Sequence, residues 1–300
     1  MKYTFETVST CEMCGSTAGE HQVLGQRLNR SQGFRPRGVN GISVSVMRCK
    51  ACGLVFASPL PIPADLQDHY GRPPEEYFFT TAEAWTPKYF QRPTATAARL
   101  LPTNRRRALD CGAGLGMGMR SLKLAGFDTW GFEPSEPFHE AALRHGGIDE
   151  TRLKLGAVEG VEYPTGSFDF VTFGAVFEHL YHPVSALKRA LEWVAPGGLV
   201  HLEVPNTRYM VAKLLNAWFR IAGTNYVSHL SPMHPPYHLY EFSLESFEAL
   251  AQREHLEIAE HWYDPGFVPG LPPLVNRALR AVMRDGQTGL QLTVFFRKPG

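Results

Sequence analysis

Arg107-Ala108-Leu109-Asp110-Cys111-Gly112-Ala113-Gly114-Leu115-Gly116 opens a stretch that closes, after a helix-like segment, on Trp130-Gly131-Phe132-Glu133-Pro134-Ser135. The order is a short apolar strand ending in an acid, a glycine-rich turn, a helix, a second strand and a second acid. Glycines there let the backbone pass close beneath a ligand between strand and helix, and the acid one strand later suits a ribose diol. The stretch reads as a nucleoside-cofactor site.

A dinucleotide fold spaces its glycines as G-x-G-x-x-G and seats a pyrophosphate on the helix N-terminus. Here Gly112, Gly114, Gly116 and Gly118 alternate directly after Asp110. An acid at the strand end repels a pyrophosphate but accepts from an ammonium group, which favours S-adenosylmethionine. The pattern resembles the first motif of class I S-adenosylmethionine-dependent methyltransferases.

Further matches follow in order. Ser167-Phe168-Asp169-Phe170-Val171-Thr172-Phe173 predicts a buried fourth strand that runs into Gly174-Ala175-Val176-Phe177-Glu178-His179-Leu180. A helix behind Pro183 carries Val184, Leu187, Leu191 and Val194 at helical period, Ala195-Pro196-Gly197-Gly198 is expected to stop it, and Leu199 to Asn206 supplies a fifth strand. Together F-D-x-V, E-H-L, P-G-G-L and V-P-N resemble small-molecule methyltransferases related to the ubiquinone-pathway and sugar enzymes, over roughly Arg107 to Glu260. Downstream, Ser243 is placed to cap a helix, Leu256 to Ala259 resembles the sixth strand, and Leu290 to Arg297 the seventh, antiparallel one. The fold expected is α/β: a doubly wound, seven-stranded Rossmann-like sheet with a small N-terminal zinc-ribbon module.

Four of the five cysteines form two knuckles, Cys11-Glu12-Met13-Cys14-Gly15 and Cys49-Lys50-Ala51-Cys52-Gly53. Paired C-x-x-C spacing favours a metal over redox disulfides or free thiols, and four thiolates suit zinc in a closed, structural tetrahedron. Cys111, with no basic neighbour in sequence, reads as a small buried hydrophobe. Bacterial methyltransferases of natural-product pathways resemble this region, with a ribbon followed by G-L-V-F, a Pro-rich turn and a tyrosine-bearing helix. Here these are Gly53-Leu54-Val55-Phe56, Ser58 to Pro63, and Leu66-Gln67-Asp68-His69-Tyr70-Gly71. The competing use of a ribbon is a nucleic-acid grip; Arg27, Arg30, Arg35 and Arg37 lie in the loop between knuckles with little aromatic interleaving, as in a solvated loop.

The predicted organisation is a ribbon over 1–60, a helical connector and cofactor cover over 61–104, and the cofactor-binding domain over 105–300. The connector is dense in aromatics, with Tyr77, Phe78, Phe79, Trp85, Tyr89 and Phe90, and inserts at 207–240 and 265–289 are expected to be substrate loops.

In the 300-residue sequence, 44% is hydrophobic, enough for one large domain and a small one. Lys plus Arg number 30 against 29 acids, so a net charge of +1 supplies no general drive toward nucleic acid. No apolar run approaches the length of a bilayer span, and Met1-Lys2-Tyr3-Thr4 does not open a signal peptide, so a cytoplasmic protein without a membrane partner is expected.

The resemblance implies that Asp110, Gly112 and Gly114 face the methionine part, that Glu133 accepts both ribose hydroxyls and that Pro134 packs on adenine. Ala157 and Val158 then occupy the adenine-edge turn, where many relatives carry an acid, with Glu159 or backbone groups as substitutes; Gly174 approaches the methionine end. For catalysis, His179 at the end of strand four is the first candidate base, with Glu178 beside it and His238 from the substrate loop as the second. Bracing of the turn by Glu178 and His179 is the structural alternative. His182, beside Pro183, reads as a helix N-terminal residue. The amide-methylating signature is absent, since strand four runs into Gly174-Ala175-Val176-Phe177. The function expected is methyl transfer from S-adenosylmethionine to a small hydroxylated metabolite, O-methylation over C-methylation. The alternatives are an RNA or protein methyltransferase that uses the ribbon for its substrate, and a binding module without catalysis.

Overall fold

The computed structural model describes residues 3–30, 39–71, 73–74, 85–266, 268 and 270–300. Arg35, Arg37, Tyr77, Phe78 and Phe79, named above, lie outside the described residues.

The deciding stretch forms β6 (Arg107–Cys111), with Ala108 through Cys111 buried, as a strand covered on both faces requires. It sits inside a seven-stranded sheet of order β12 (Glu257–Asp264), β13 (Gln291–Arg297), β10 (Val194–Pro205), β9 (Phe168–Gly174), β6, β7 (Asp128–Glu133) and β8 (Leu153–Leu155). Pairs from β8 to β10 are parallel, whereas β13 runs antiparallel to both β10 and β12. This is the doubly wound, seven-stranded order expected from the sequence. Chain order reverses between β6 and β9, so their carboxyl ends flank the crevice where such sheets bind ligands.

Neighbouring residues on one strand point to opposite faces. Phe170, Leu199 and Phe295 meet Ala97 of α2 (Gln91–Leu100) and Leu122 of α3 (Met117–Leu124) on one side. On the other, Val171, Val200 and Phe296 meet Leu187 and Trp193 of α5 (Pro183–Trp193) and Phe247 of α7 (Leu244–Arg253). Each fully buried Phe here contributes roughly 1.5–3 kcal/mol through removal from water. Ser243 caps α7: its hydroxyl accepts from Ser246 N–H while the Ser246 hydroxyl accepts from Ser243 N–H. The helix stops before Ala195-Pro196-Gly197-Gly198, as expected, but the next strand starts earlier than Leu199: β10 begins at Val194, Gly197 adopts φ +72°, and the register with β9 shifts between Val194 and Leu199. The glycine lets the strand bend without breaking.

The ribbon strands β2 (His21–Arg30), β3 (Val39–Cys49) and β4 (Val55–Ser58) pair antiparallel, and the sheet gains a fourth strand from far downstream, β11 (Tyr240–Glu241), which pairs with β4. β1 (Tyr3–Glu6) pairs with β5 (Leu60–Pro63). The Ser243 hydroxyl donates to Cys52 O at 3.0 Å, and Arg253 Nη1 donates to Glu12 O at 2.8 Å. Cys11, Met13, Leu54 and Phe56 share one buried cluster with Phe177, Phe242 and Phe247. The ribbon therefore packs into the apolar core of the large sheet. No helix among the described residues is long and apolar enough to cross a membrane.

Candidate functional site

From β6 the chain turns through Gly112, Gly114 and Gly116, all at positive φ, into α3. Gly114 has open space where a Cβ would stand, leaving the turn bare toward a cleft. Gly118 has the reverse role: a Cβ there would lie 2.6 Å from Asp110 Oδ2, so glycine admits that carboxylate against the first turn of α3. Asp110 is buried and its carboxyl is pushed up to about 7, by burial first and by the charge of Glu133 second.

Glu133 ends β7 with its carboxylate held by two backbone donors, Gly114 N–H to Oε2 at 2.7 Å and Ser135 N–H to Oε1 at 2.9 Å. Each oxygen keeps a lone pair for a further hydroxyl. Burial pushes this carboxyl up to about 7 as well. Two neighbouring buried acids repel a phosphate and favour a cationic ligand. Around them Phe132, Pro134, Phe138, Val158 and Leu180 form apolar walls, and the space measures about 940 Å³ including its open mouth. The short helix α1 (Gln67–Tyr70) covers one side, where the Gln67 side chain donates to Pro134 O at 2.8 Å. Tyr89 stands near Asp110 and Glu203, whose charges add to burial in raising its phenol.

Beyond β9 the chain makes one 3-10 turn, Phe177–His179. Glu178 is buried, with its Oε1 3.9 Å from His179 Nε2 and 3.8 Å from His238 Nε2. His238 comes from the 207–240 insert, and Leu239 N–H donates to Glu178 O at 2.9 Å. Ser231 fixes the same turn, its hydroxyl accepting from His238 N–H at 3.0 Å. Ala175 and Tyr237, flanking the cluster, hold φ of 55° and 65°, a left-handed conformation that costs free energy for a residue with a Cβ. Burial pushes the Glu178 carboxyl up to about 8 and the His179 imidazole down to about 4, and it lowers His238 with help from His179 and His234. Glu178 Oε2 and His179 Nδ1 are buried without a hydrogen-bond partner among the described residues. Orphaned polar atoms of this kind are costly unless a bound group completes them.

In the ribbon the four sulfurs of Cys11, Cys14, Cys49 and Cys52 lie within 4.8 Å of one another. Cys11 to Cys52 and Cys14 to Cys49 are each 3.6 Å, close to the edge of about 3.8 Å in a tetrahedron with Zn–S near 2.3 Å. After each pair, Gly15 and Gly53 take φ of +76° and +80°, and their N–H groups donate to Cys11 O and Cys49 O. The donor set and its spacing fit a structural zinc ion.

Of the residues expected at the cofactor, Gly112, Gly114, Glu133, Pro134, Ala157 and Val158 line the one cleft, as does Glu159. Asp110 lies beneath it, and Gly174 stands against Phe90, 3.5 Å from its ring to the place of a Cβ. His179 reaches the cleft wall. His182 precedes α5 as its N-cap residue. Cys111 is fully buried with its thiol pushed well up by burial. Leu66, Tyr70, Ser135, Val176 and Tyr181 also line the cleft without having been singled out as ligands. For Ser135 the signal was present: it follows Glu133-Pro134 and caps α4 (Glu136–Arg144).

The sequence family described as Methyltransferase domain matches residues 84–261, more than half of the chain. A Ubiquinone biosynthesis O-methyltransferase of Bordetella avium (strain 197N) is 30% identical over 149 residues, 49% of this chain and 59% of that protein. The mitochondrial enzyme of that description from Schizosaccharomyces pombe (strain 972 / ATCC 24843) is 33% identical over 115 residues, 37% of this chain and 41% of that protein. The chain spans about half the length of these curated relatives. The solved structure of an S-adenosylmethionine dependent methyltransferase from Mesorhizobium loti overlays with a TM-score of 0.48 at 15% identity, covering 68% of this chain and 96% of that one.

Proposed function

The chain belongs to the methyltransferase-domain family, and from that premise we propose that it transfers a methyl group from S-adenosylmethionine to a hydroxyl oxygen of a small metabolite. The observation that carries the reading is the placement of Glu178, His179 and His238 in one cluster at the carboxyl end of β9, beside a cleft floored by Glu133. When bound, S-adenosylmethionine supplies an electrophilic methyl group on a sulfonium.

The residues divide the remaining work. Glu133 holds the ribose diol with its free lone pairs, the bare backbone at Gly112 and Gly114 lets the methionine part lie close, and Pro134, Ala157 and Val158 contact adenine. Asp110 and Glu133 stabilise positive charge in the cleft. His179, kept neutral by burial, accepts the acceptor's hydroxyl proton on its imidazole ring. Glu178 Oε1 faces Nε2 of the same ring at 3.9 Å; burial pushes this carboxyl up to about 8, and the positive charge of the imidazolium favours its ionisation as the proton moves. His238, 3.8 Å from Glu178 Oε1, helps to orient the acceptor oxygen. Positioning supplies most of the rate, since the sulfonium leaves readily.

In this reading residues 1–60 are a zinc-stabilised module, 61–104 cover the cofactor and 105–300 carry the chemistry. A panel of hydroxylated metabolites, including sugar nucleotides and phenols, tests it by release of S-adenosylhomocysteine. Turnover on a hydroxylated acceptor that falls at least a hundredfold in His179→Ala supports the assignment. Methylation of RNA or protein in place of every small acceptor overturns it.

A further inference from the structure

Helix α6 (Met210–Ile221), in the first insert, has no buried residue. Leu214, Trp218 and Ile221, at helical spacing i, i+4 and i+7, are 65%, 63% and 79% exposed, so the apolar stripe of this amphipathic helix faces outward. The flank beside the stripe walls a second cavity of about 840 Å³, including its open mouth, against the ribbon, where Arg48 of β3, Arg208, Lys213 and Arg220 converge with Asn216 and His229. Among the described residues no carboxylate lines it. Arg208 pairs outward with Glu245 and His229 with Glu241, whereas Arg48, Lys213 and Arg220 make no ion pair among the described residues. Nearby, Arg27 is buried with Nη1 lacking a partner, and its charge and that of Arg48 both reach His229.

The second insert repeats the pattern. Helix α8 (Pro273–Asp285) exposes Leu274, Val275 and Val282 beside Arg277, Arg280 and Arg284. Met210 N–H donates to Thr288 O at 3.1 Å, which brings the start of α6 to the chain just after α8.

From these features we infer that α6 docks on an anionic phospholipid surface, with its apolar stripe among the acyl chains and the cavity of Arg48, Lys213 and Arg220 holding a lipid phosphate. An exposed Leu, Trp and Ile stripe flanked by Lys and Arg matches the apolar-to-anionic gradient of a bilayer interface, where each basic group adds to the attraction. A second copy of the chain fits less well, because a symmetric contact would set these cations against themselves with no carboxylate in the cavity to meet them. A twelve-residue helix is about 18 Å long, short of the roughly 30 Å needed to span, so it lies on the surface. Surface docking of this kind needs no spanning run and is compatible with the lack of a membrane-crossing helix among the described residues.

The test is co-sedimentation of the full chain with phosphatidylcholine vesicles, with and without phosphatidylglycerol, at low and high salt, alongside quenching of tryptophan fluorescence by brominated lipid. Binding at least tenfold stronger to the anionic vesicles, weakened by salt and equally weakened in Lys213→Glu/Arg220→Glu and in Trp218→Ser, is expected. Brominated-lipid quenching present in the native chain and lost in Trp218→Phe completes the expected result. Circular dichroism and S-adenosylhomocysteine binding should stay unchanged in these variants. Three outcomes overturn the inference: no preference for anionic vesicles in the native chain, saturation of the cavity by inorganic phosphate at low millimolar concentration without vesicles, or a dimer abolished by Trp218→Ser. The first needs no variant, so a misfolded variant leaves the question decidable.

Discussion

Glu178 Oε1 lies 3.8 Å from Nε2 of His238, and the backbone bond from Leu239 N–H to Glu178 O at 2.9 Å locks the two segments in register. The Glu178, His179 and His238 cluster, proposed above as catalytic, thus joins the end of a core strand to an insert that the ribbon strand β4 also grips through β11. The Glu133 cleft, this cluster and the ribbon are mechanically linked.

If His179 is the base, His179→Ala is expected to lower kcat by about 10²- to 10⁴-fold while S-adenosylhomocysteine affinity stays nearly constant. Because burial holds this imidazole down to about 4, kcat at saturating cofactor is expected to show no acid limb near the ordinary histidine value, whereas kcat/KM for the cofactor is expected to fall as pH drops from 7 to 5.5, because the Asp110 and Glu133 carboxyls, pushed up to about 7, take up protons there. Steady-state rates on the identified acceptor check both. Full turnover by the variant would remove His179 from the mechanism.

The buried Glu178 carboxyl gives a stability signature. Folded, it keeps its proton up to about pH 8, whereas the unfolded chain releases it near 4.5. Its contribution is therefore fully present below the unfolded value and is lost as pH rises through the folded one. Thermal unfolding of the ligand-free protein is expected to lose stability more steeply between pH 5 and 8 in the native chain than in Glu178→Gln. Parallel curves for the two would contradict an ionisation cost at this position.

Metal analysis is expected to find close to one zinc per chain, with Cys49→Ser losing the ion. Since Ser243 bonds Cys52 O and Phe56 pairs with Tyr240, chelation is expected to lower the melting temperature of the whole chain in a single transition. Stoichiometric disulfides in freshly isolated protein, or a separate early transition for the ribbon, would count against this.

The core was legible because short-range rules govern it. Phe168 to Gly174 and Leu199 to Pro205 are largely apolar runs, as parallel strands buried on both faces must be, and the acid that ends β7 was legible as Glu133. The Cys knuckles were equally plain, because zinc fixes both residue type and spacing. What the sequence hid depends on long-range packing. That β4 takes β11 as a neighbour, that Phe56 shares a core with Phe242, and that Asp110 turns beneath Gly118 have no local signal. The inserts carried apolar residues that the sequence reading assigned to the acceptor pocket; on α6 the stripe of Leu214, Trp218 and Ile221 faces outward instead. Periodicity gives the width of an apolar face but not the side of the molecule it meets.

Calorimetric titration of S-adenosylhomocysteine into the native chain and into Glu133→Ala tests the central claim most directly. The account predicts binding at about one site per chain, weakened roughly 10- to 150-fold in the variant, since losing a charged hydrogen-bond partner costs about 1.5 to 3 kcal/mol. No S-adenosylhomocysteine binding by the folded native chain, or tight binding of a dinucleotide in its place, would contradict it.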